Sequence, residues 1–121
     1  MSDQLHHVPA AGGESVRVLG DRVTFKGGLE QPDLVLAEVE VPPSAGTPLH
    51  AHASPEIFRV LAGELELATL ADDGARRTVR AAAGDVISIP SGTPHGYANA
   101  GSAPALVLAM FAARWSASFV R

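Results

Sequence analysis

Two stretches decide the fold of this chain: GTPLHAHASPEIFRVLAG at residues 46–63 and GDVISIPSGTPHGYAN at residues 84–99. In the first stretch, His50 and His52 are separated by one residue. Alternate residues of a β-strand point to the same face, so two imidazoles on one strand can reach a single ion. Such a pair is a weak indication of metal binding when it is taken alone.

A carboxylate and a third imidazole complete the candidate set. Glu56 follows Pro55, and the proline can turn the chain so that the carboxylate swings towards the two histidines. His95 in the second stretch is the other histidine of the body of the chain. The chain has no cysteine, so a metal must be held by imidazole and carboxylate rather than by thiolate.

The rest of the chain predicts an all-β domain. Its 121 residues fit one domain, and twelve glycines and nine prolines divide it into short apolar segments without a sustained helical period. Closely spaced strands with turns between them indicate a sandwich or barrel. The predicted strands cover residues 15–19, 21–26, 34–41, 48–52, 57–61, 64–70, 76–81, 85–89, 96–100 and 103–111.

The two stretches resemble the two motifs of the cupin superfamily. The first motif reads Gly46-x3-His50-x-His52-x3-Glu56-x6-Gly63. The second reads Gly84-x5-Pro90-x-Gly92-x2-His95-x3-Asn99. The second matches the family pattern at every defined position, whereas the first has three residues before its first histidine where the family more often has five. The resemblance implies a double-stranded β-helix, or jelly-roll, barrel, similar to small quercetinase-like and dioxygenase-type cupins.

The resemblance also implies the roles of the motif residues. His50, His52, Glu56 and His95 are expected to bind one divalent transition metal per chain, which is Fe, Mn, Ni, Co, Cu or Zn. Glu56 is in addition a candidate catalytic base, because a carboxylate binds metals more loosely than an imidazole does. The remaining motif residues have expected structural roles as turn glycines, strand terminator and hydrogen-bonding amide: Gly63, Gly84, Gly92, Pro90 and Asn99. The alternative is a barrel without metal that keeps the motif.

The implied function is a metal-dependent enzyme with dioxygenase-type chemistry on a small oxygenated organic substrate. Two alternatives stay open: a non-redox metalloenzyme, such as an isomerase or polyketide cyclase, and a non-catalytic small-molecule-binding cupin. No Arg or Lys is aimed inward, which favours an aromatic or otherwise apolar substrate over a phosphorylated sugar. The side chains expected around the metal are Phe58, Val60 and Tyr97, with Phe25, Leu36, Leu108 and Met110 as further candidates.

Charge and hydropathy exclude other classes. Nine Lys and Arg against thirteen Asp and Glu give a net charge of -4, which argues against a nucleic-acid partner. No apolar run approaches the length of a membrane span, and there is no signal peptide pattern, so a cytoplasmic protein is predicted. His6 and His7 are expected to be solvated in a flexible leader, residues 1–13, that precedes a barrel at residues 14–111.

Two predictions concern the C-terminal half. Residues 106–111 are apolar on both faces, which predicts a homodimer in which this strand or the N-terminal strand is covered by the partner. The tail, residues 112–121, is expected to form a turn of helix with Trp115 and Phe119 on one side. These two aromatic residues are either a lid over the mouth of the barrel or packed against its outside.

Overall fold

The computed structural model describes residues 5–29, 34–112 and 117–119. Within these ranges the chain forms eleven β-strands and no helix. Ten of them are the predicted strands, with each end within three residues of its expected place. The strands are β1 Ser15–Val18, β2 Asp21–Leu29, β3 Leu34–Val41, β4 Gly46–His52, β5 Glu56–Ala62, β6 Glu64–Leu70, β7 Arg76–Ala82, β8 Val86–Ile89, β9 His95–Ala98, β10 Ala105–Ala112 and β11 Ala117–Phe119.

The described strands form two antiparallel sheets. The larger has the order β1-β2-β3-β10-β5-β8, and the smaller has the order β11-β4-β9-β6-β7. Most neighbours in each sheet are distant in the chain: β10 lies between β3 and β5, and β9 lies between β4 and β6. Strands that alternate between two sheets in this way form a jelly roll, so the predicted fold class is confirmed.

The core lies between the sheets, where alternation brings one face of each strand inward. Val60 of β5, Leu65 of β6 and Val107 of β10 are at most 2% exposed. The apolar side chains of both inner faces pack into one cluster. This leaves the opposite faces of β5 and β10 outside the barrel.

The expectation that Leu36, Leu108 and Met110 face the cavity is wrong. In the registers of the larger sheet, Met110 lies opposite Leu36 on β3 and opposite Ile57 on β5. Met110 and Ile57 are 37% and 46% exposed. The reason is the alternation of side chains along β3. Ala37 is buried, so the odd-numbered residues of β3 face the core, whereas Leu36 and its partner Met110 lie on the outer face.

The prediction of a helical turn in the tail is also wrong. Residues 117–119 form β11, which pairs with β4 so that Ala117 lies opposite His52 and Phe119 lies opposite His50. Without this pairing β4 would be an edge strand with unpaired backbone groups. Trp115 and the side chain of Phe119 lie outside the described residues, so the choice between a lid and a packed tail stays a prediction.

Part of the leader is attached to the barrel by one lysine. The Nζ atom of Lys26 donates hydrogen bonds to the backbone oxygens of Pro9, Ala10 and Gly12 at 3.0, 3.0 and 2.8 Å. His6 and His7 are exposed, as predicted. In the ranges that the structure describes, no helix has the length and apolar character needed to cross a membrane.

Candidate metal centre

The structure brings together all four predicted ligand residues. His50 and His52 lie on β4, Glu56 begins β5, and His95 begins β9. Each offers one potential ligand atom, and these atoms all lie within 4.8 Å of one another. The three histidines come from the smaller sheet and the carboxylate from the larger one, so the cluster bridges the two layers.

The bend between His52 and Glu56 carries the chain from one sheet to the other. Buried Ser54 holds it, because its Oγ accepts a hydrogen bond from the backbone NH of Ala112 at 3.0 Å and donates one to the oxygen of Pro55 at 3.0 Å. The backbone NH of Gly92 also donates to the oxygen of His52 at 2.9 Å. The carboxylate is therefore positioned by contacts from distant parts of the chain.

Backbone carbonyls orient two of the imidazoles. Nδ1 of His50 donates to the oxygen of Pro48 at 3.0 Å, and Nδ1 of His95 donates to the oxygen of Thr93 at 2.8 Å. A carbonyl can only accept, so Nδ1 carries the proton and Nε2 of the neutral ring is left as a potential ligand. Nε2 of His95 is buried and 3.4 Å from Oε1 of Glu56, too far for a hydrogen bond of ordinary strength.

His52 and Glu56 form the closest contact of the cluster. Nε2 of His52 lies 2.5 Å from Oε1 of Glu56, and the two side chains are only 2% and 13% exposed. The carboxylate and this imidazole nitrogen are thus close enough to bind a single ion together.

The local environment shifts two histidine pKa values in opposite directions. Burial lowers the pKa of His50, and the neighbouring histidines lower it further, so the neutral, ligating form is favoured. Burial also acts to lower the pKa of His95, but the nearby carboxylate of Glu56 and the hydrogen bond to the carbonyl of Thr93 outweigh it. The net shift for His95 is upward. The cluster combines three imidazoles with one carboxylate, and this mixed donor set suits divalent transition metals.

An apolar cavity of about 380 Å³ adjoins the cluster between the two sheets. His50, Glu56 and His95 form part of its wall. Of the aromatic and apolar side chains expected there, Phe25, Phe58 and Tyr97 line the cavity, whereas Val60 is buried in the core. No Lys or Arg occurs among the described residues that line the cavity. These residues are Val16, Val18, Asp21, Val23, Phe25, Val35, Val39, Thr47, His50, Glu56, Phe58, His95, Tyr97, Ala109 and Phe111.

Sequence reasoning missed two polar residues of this cavity, Asp21 and Thr47. Asp21 is 1% exposed and accepts a hydrogen bond from the hydroxyl of Tyr97. Burial raises the pKa of Asp21, partly offset by that hydrogen bond, and burial together with Asp21 raises the pKa of Tyr97. A signal was present, because Asp21 alternates with Val23 and Phe25 on one face of β2.

The other motif residues are structural, as expected. Asn99 is 2% exposed, and its Nδ2 donates to the oxygens of Val41 and Ala103 at 2.9 and 2.8 Å. Its Oδ1 accepts from the backbone NH of Gly101 at 2.9 Å. The turn glycines of the motifs have positive φ angles of 75°, 93° and 74° at Gly63, Gly84 and Gly92.

Comparison with known proteins gives the family of this chain. The model of the cupin domain family matches residues 37–111, which include all four residues of the cluster. The chain belongs to the cupin family. No curated protein sequence matches this cupin.

Solved structures similar to this cupin include two kinds of oxalate enzyme. A structure of oxalate oxidase has a TM-score of 0.72 at 26% identity, over 84% of this chain and 56% of that chain. Structures of Bacillus subtilis oxalate decarboxylase, one of them from a study of its Mn(II) centres, have a TM-score of 0.72 at 26% identity. They cover 88% of this chain and 30% of theirs. This cupin thus spans little more than half the length of the first protein and less than a third of the second.

Proposed function

We propose that this cupin is a metal-dependent enzyme that acts on a small oxygenated organic molecule. In this proposal His50, His52, Glu56 and His95 bind one divalent transition metal, and the substrate occupies the adjoining cavity. The observation that carries the proposal is the convergence of four ligand atoms within 4.8 Å on the wall of an otherwise mainly apolar cavity. The similarity to oxalate oxidase and to the Mn(II) enzyme oxalate decarboxylase supports it.

The chemistry would be divided between the ion and the chain. A bound ion would polarise substrate oxygens or support redox chemistry with dioxygen. The apolar side chains would exclude water from the reacting atoms, and the carbonyls of Pro48 and Thr93 would keep two imidazoles in the ligating tautomer. Glu56 would move a proton, since its side chain is in contact with both a buried imidazole and the cavity.

The cavity favours an aromatic or otherwise apolar substrate over a small dianion such as oxalate. Its ionisable groups outside the histidines are Asp21, Glu56 and Tyr97, and the described lining has no cationic side chain. An anion would therefore be attracted only by the metal. A volume of about 380 Å³ is more than twice that of an engineered cavity, about 150 Å³, that binds benzene, so a substituted ring would fit.

Metal analysis followed by activity screening tests this proposal. We expect protein purified without chelator to contain one divalent ion per chain and to consume oxygen with a phenol, flavonol or diketone. Turnover without oxygen uptake by a zinc-containing protein would favour a non-redox isomerase or polyketide cyclase. A metal-loaded protein that binds such compounds without turnover would be a binding protein, and a protein that binds no metal would contradict the proposal.

Glu56→Gln is expected to separate metal binding from turnover. The three imidazoles remain, so the variant should keep more metal than a variant that lacks one histidine. The amide cannot take a proton, so turnover should fall by about 10²- to 10⁴-fold, the usual contribution of a general base. Metal content and kcat of the two proteins are the measurements. Glu64→Gln, which changes an exposed carboxylate, is the control, and unchanged turnover in Glu56→Gln would exclude the proton-transfer role.

We also propose that the outer face of the larger sheet forms a homodimer interface. Ile57, Val86 and Met110 are 46%, 56% and 37% exposed and lie on neighbouring strands of this face. Light scattering should give the mass of a dimer, and Ile57→Asp should convert it to a monomer by placing a charge in the interface. Val79→Asp is the control, since Val79 is 53% exposed on the other sheet. A monomeric wild-type protein at micromolar concentration would contradict the proposal.

A further inference from the structure

Three polar side chains other than the four cluster residues form a group in the cavity wall. Asp21 begins β2, Thr47 lies on β4, and Tyr97 lies on β9. The hydroxyl of Tyr97 donates to Oδ2 of Asp21, and Thr47 is paired with Tyr97 across the two strands. All three residues line the cavity. We refer to Asp21, Thr47 and Tyr97 as the polar subsite.

Two atoms of the polar subsite are buried without a hydrogen-bond partner. They are Oδ1 of Asp21 and Oγ1 of Thr47, and neither has a partner among the residues that the structure describes. Asp21 as a whole is 1% exposed. A buried polar atom that makes no hydrogen bond is destabilising, and a carboxylate oxygen especially so. Such atoms in a cavity wall are explained if a ligand supplies their partner.

A structural role of Asp21 accounts for only one of its two oxygens. The bond from Tyr97 ties the turn between β1 and β2 to the smaller sheet through Oδ2. An asparagine could accept the same bond without placing a buried acid in the wall. The second oxygen and the acidic character of Asp21 are therefore left for another interaction, and no described Lys or Arg lines the cavity to neutralise it.

We infer that the polar subsite binds a hydroxyl or ammonium group of the substrate, while the oxygenated end of the same molecule faces the metal cluster. The inference rests on the proposed function and narrows its substrate class. Oδ1 of Asp21 and Oγ1 of Thr47 are both able to accept hydrogen bonds, and the carboxylate attracts a cation. A carboxylate or phosphate at this end of the substrate is repelled by Asp21.

The rest of the cavity wall is mainly apolar and determines the character of the remainder of the substrate. Phe58 lies edge-on to the ring of Tyr97 with 6.2 Å between the ring centroids, and both residues line the cavity. Val23, Val39 and Ala109 contribute further apolar surface. An apolar body, such as one aromatic ring, therefore joins the oxygenated end and the hydroxyl or ammonium group.

Four catechols that differ only in the group at the end of a short side chain test the inference. They are 4-ethylcatechol, 4-(2-hydroxyethyl)catechol, 4-(2-aminoethyl)catechol and 3,4-dihydroxyphenylacetate. Each is titrated anaerobically, to keep the catechol reduced, into protein loaded with Co(II), whose visible absorption reports ligand binding. We expect the hydroxyl and amine compounds to bind at least about tenfold more tightly than 4-ethylcatechol, as hydrogen bonds to a buried carboxylate imply, and the acid to bind more weakly.

Variants assign the preference to the polar subsite. Relative to 4-ethylcatechol, the amine is expected to bind more tightly and the acid more weakly, and Asp21→Asn should remove both differences in Kd. The Kd of 4-ethylcatechol itself should change far less. Thr47→Val should weaken binding of the hydroxyl compound. Asp73→Asn is the matched control, since it removes the same charge from an exposed turn outside the cavity, and it should leave the order of the four compounds unchanged.

The outcomes separate this inference from the proposed function. Four equal Kd values in the wild-type protein would overturn the polar subsite and leave the metal centre standing, and this result does not depend on whether Asp21→Asn folds. A preserved amine preference in folded Asp21→Asn would also overturn it. Failure of Co(II) to bind would overturn the proposed function instead. If Co(II) binds but none of the four catechols changes its spectrum, the inference is overturned and the metal centre stands.

Discussion

Replacement of His50, His52 or His95 by alanine is expected to remove most of the bound metal. Each variant loses one of the three imidazoles whose ligand atoms lie within 4.8 Å of one another. Loss of a residue that merely orients a ligand lowers metal affinity by roughly 10- to 100-fold, so loss of a ligand itself should cost at least about 100-fold. Metal content per chain after dialysis, together with competition against a chelator of known affinity, measures the effect.

His6→Ala and His7→Ala are the matched controls for these variants. Both residues are exposed and lie outside the cluster, so full metal content is expected for each. Thermal unfolding of the metal-free proteins distinguishes loss of a ligand from loss of the fold. Retention of full stoichiometric metal by two of the three cluster variants would show that the ion, if there is one, is held elsewhere.

Local patterns were sufficient to predict ten of the eleven described strands and the two histidines of β4. His50 and His52 needed only the alternation of a strand, and their position on the same face is a local property of β4. Glu56 is different, because its position depends on contacts such as that between Ser54 and Ala112, which are 58 residues apart. Glu56 and His95 were assigned to the metal site from the resemblance to the family motifs, because the alternation of a strand cannot place them.

The errors arose where tertiary pairing decides the structure. β11 forms because β4 offers an unpaired edge, and a three-residue strand has too little pattern to be recognised in the sequence. Met110 was assigned to the cavity because β10 is apolar on both faces, so that alternation could not choose between them. Asp21 was not assigned to the cavity because an acidic residue is usually on the surface. Its alternation with Val23 was the better guide.

Gly96→Ala is expected to weaken both the fold and the metal centre, although it changes no ligand. Gly96 is buried in β9, and a Cβ atom there would lie 2.8 Å from the oxygen of Thr47 and 2.9 Å from the oxygen of Pro48. Both are backbone atoms of β4, so the clash cannot be relieved by rotation of a side chain. β4 and β9 would have to separate, and these strands carry His50 and His95.

The expected cost of Gly96→Ala is about 1–3 kcal/mol of unfolding free energy, the usual range for overpacking a well-packed site. For a domain of this size that corresponds to a decrease in Tm of several degrees, measured on metal-free protein. Gly27→Ala is the matched control, because a Cβ at this other strand glycine meets no atom within 4 Å. Its Tm should stay close to that of the wild type. Metal affinity should fall with Gly96→Ala alone, since only this change moves two histidine-bearing strands apart. Unchanged Tm and unchanged metal affinity would mean that β4 and β9 do not approach as closely as the pairing of His50 with His95 requires.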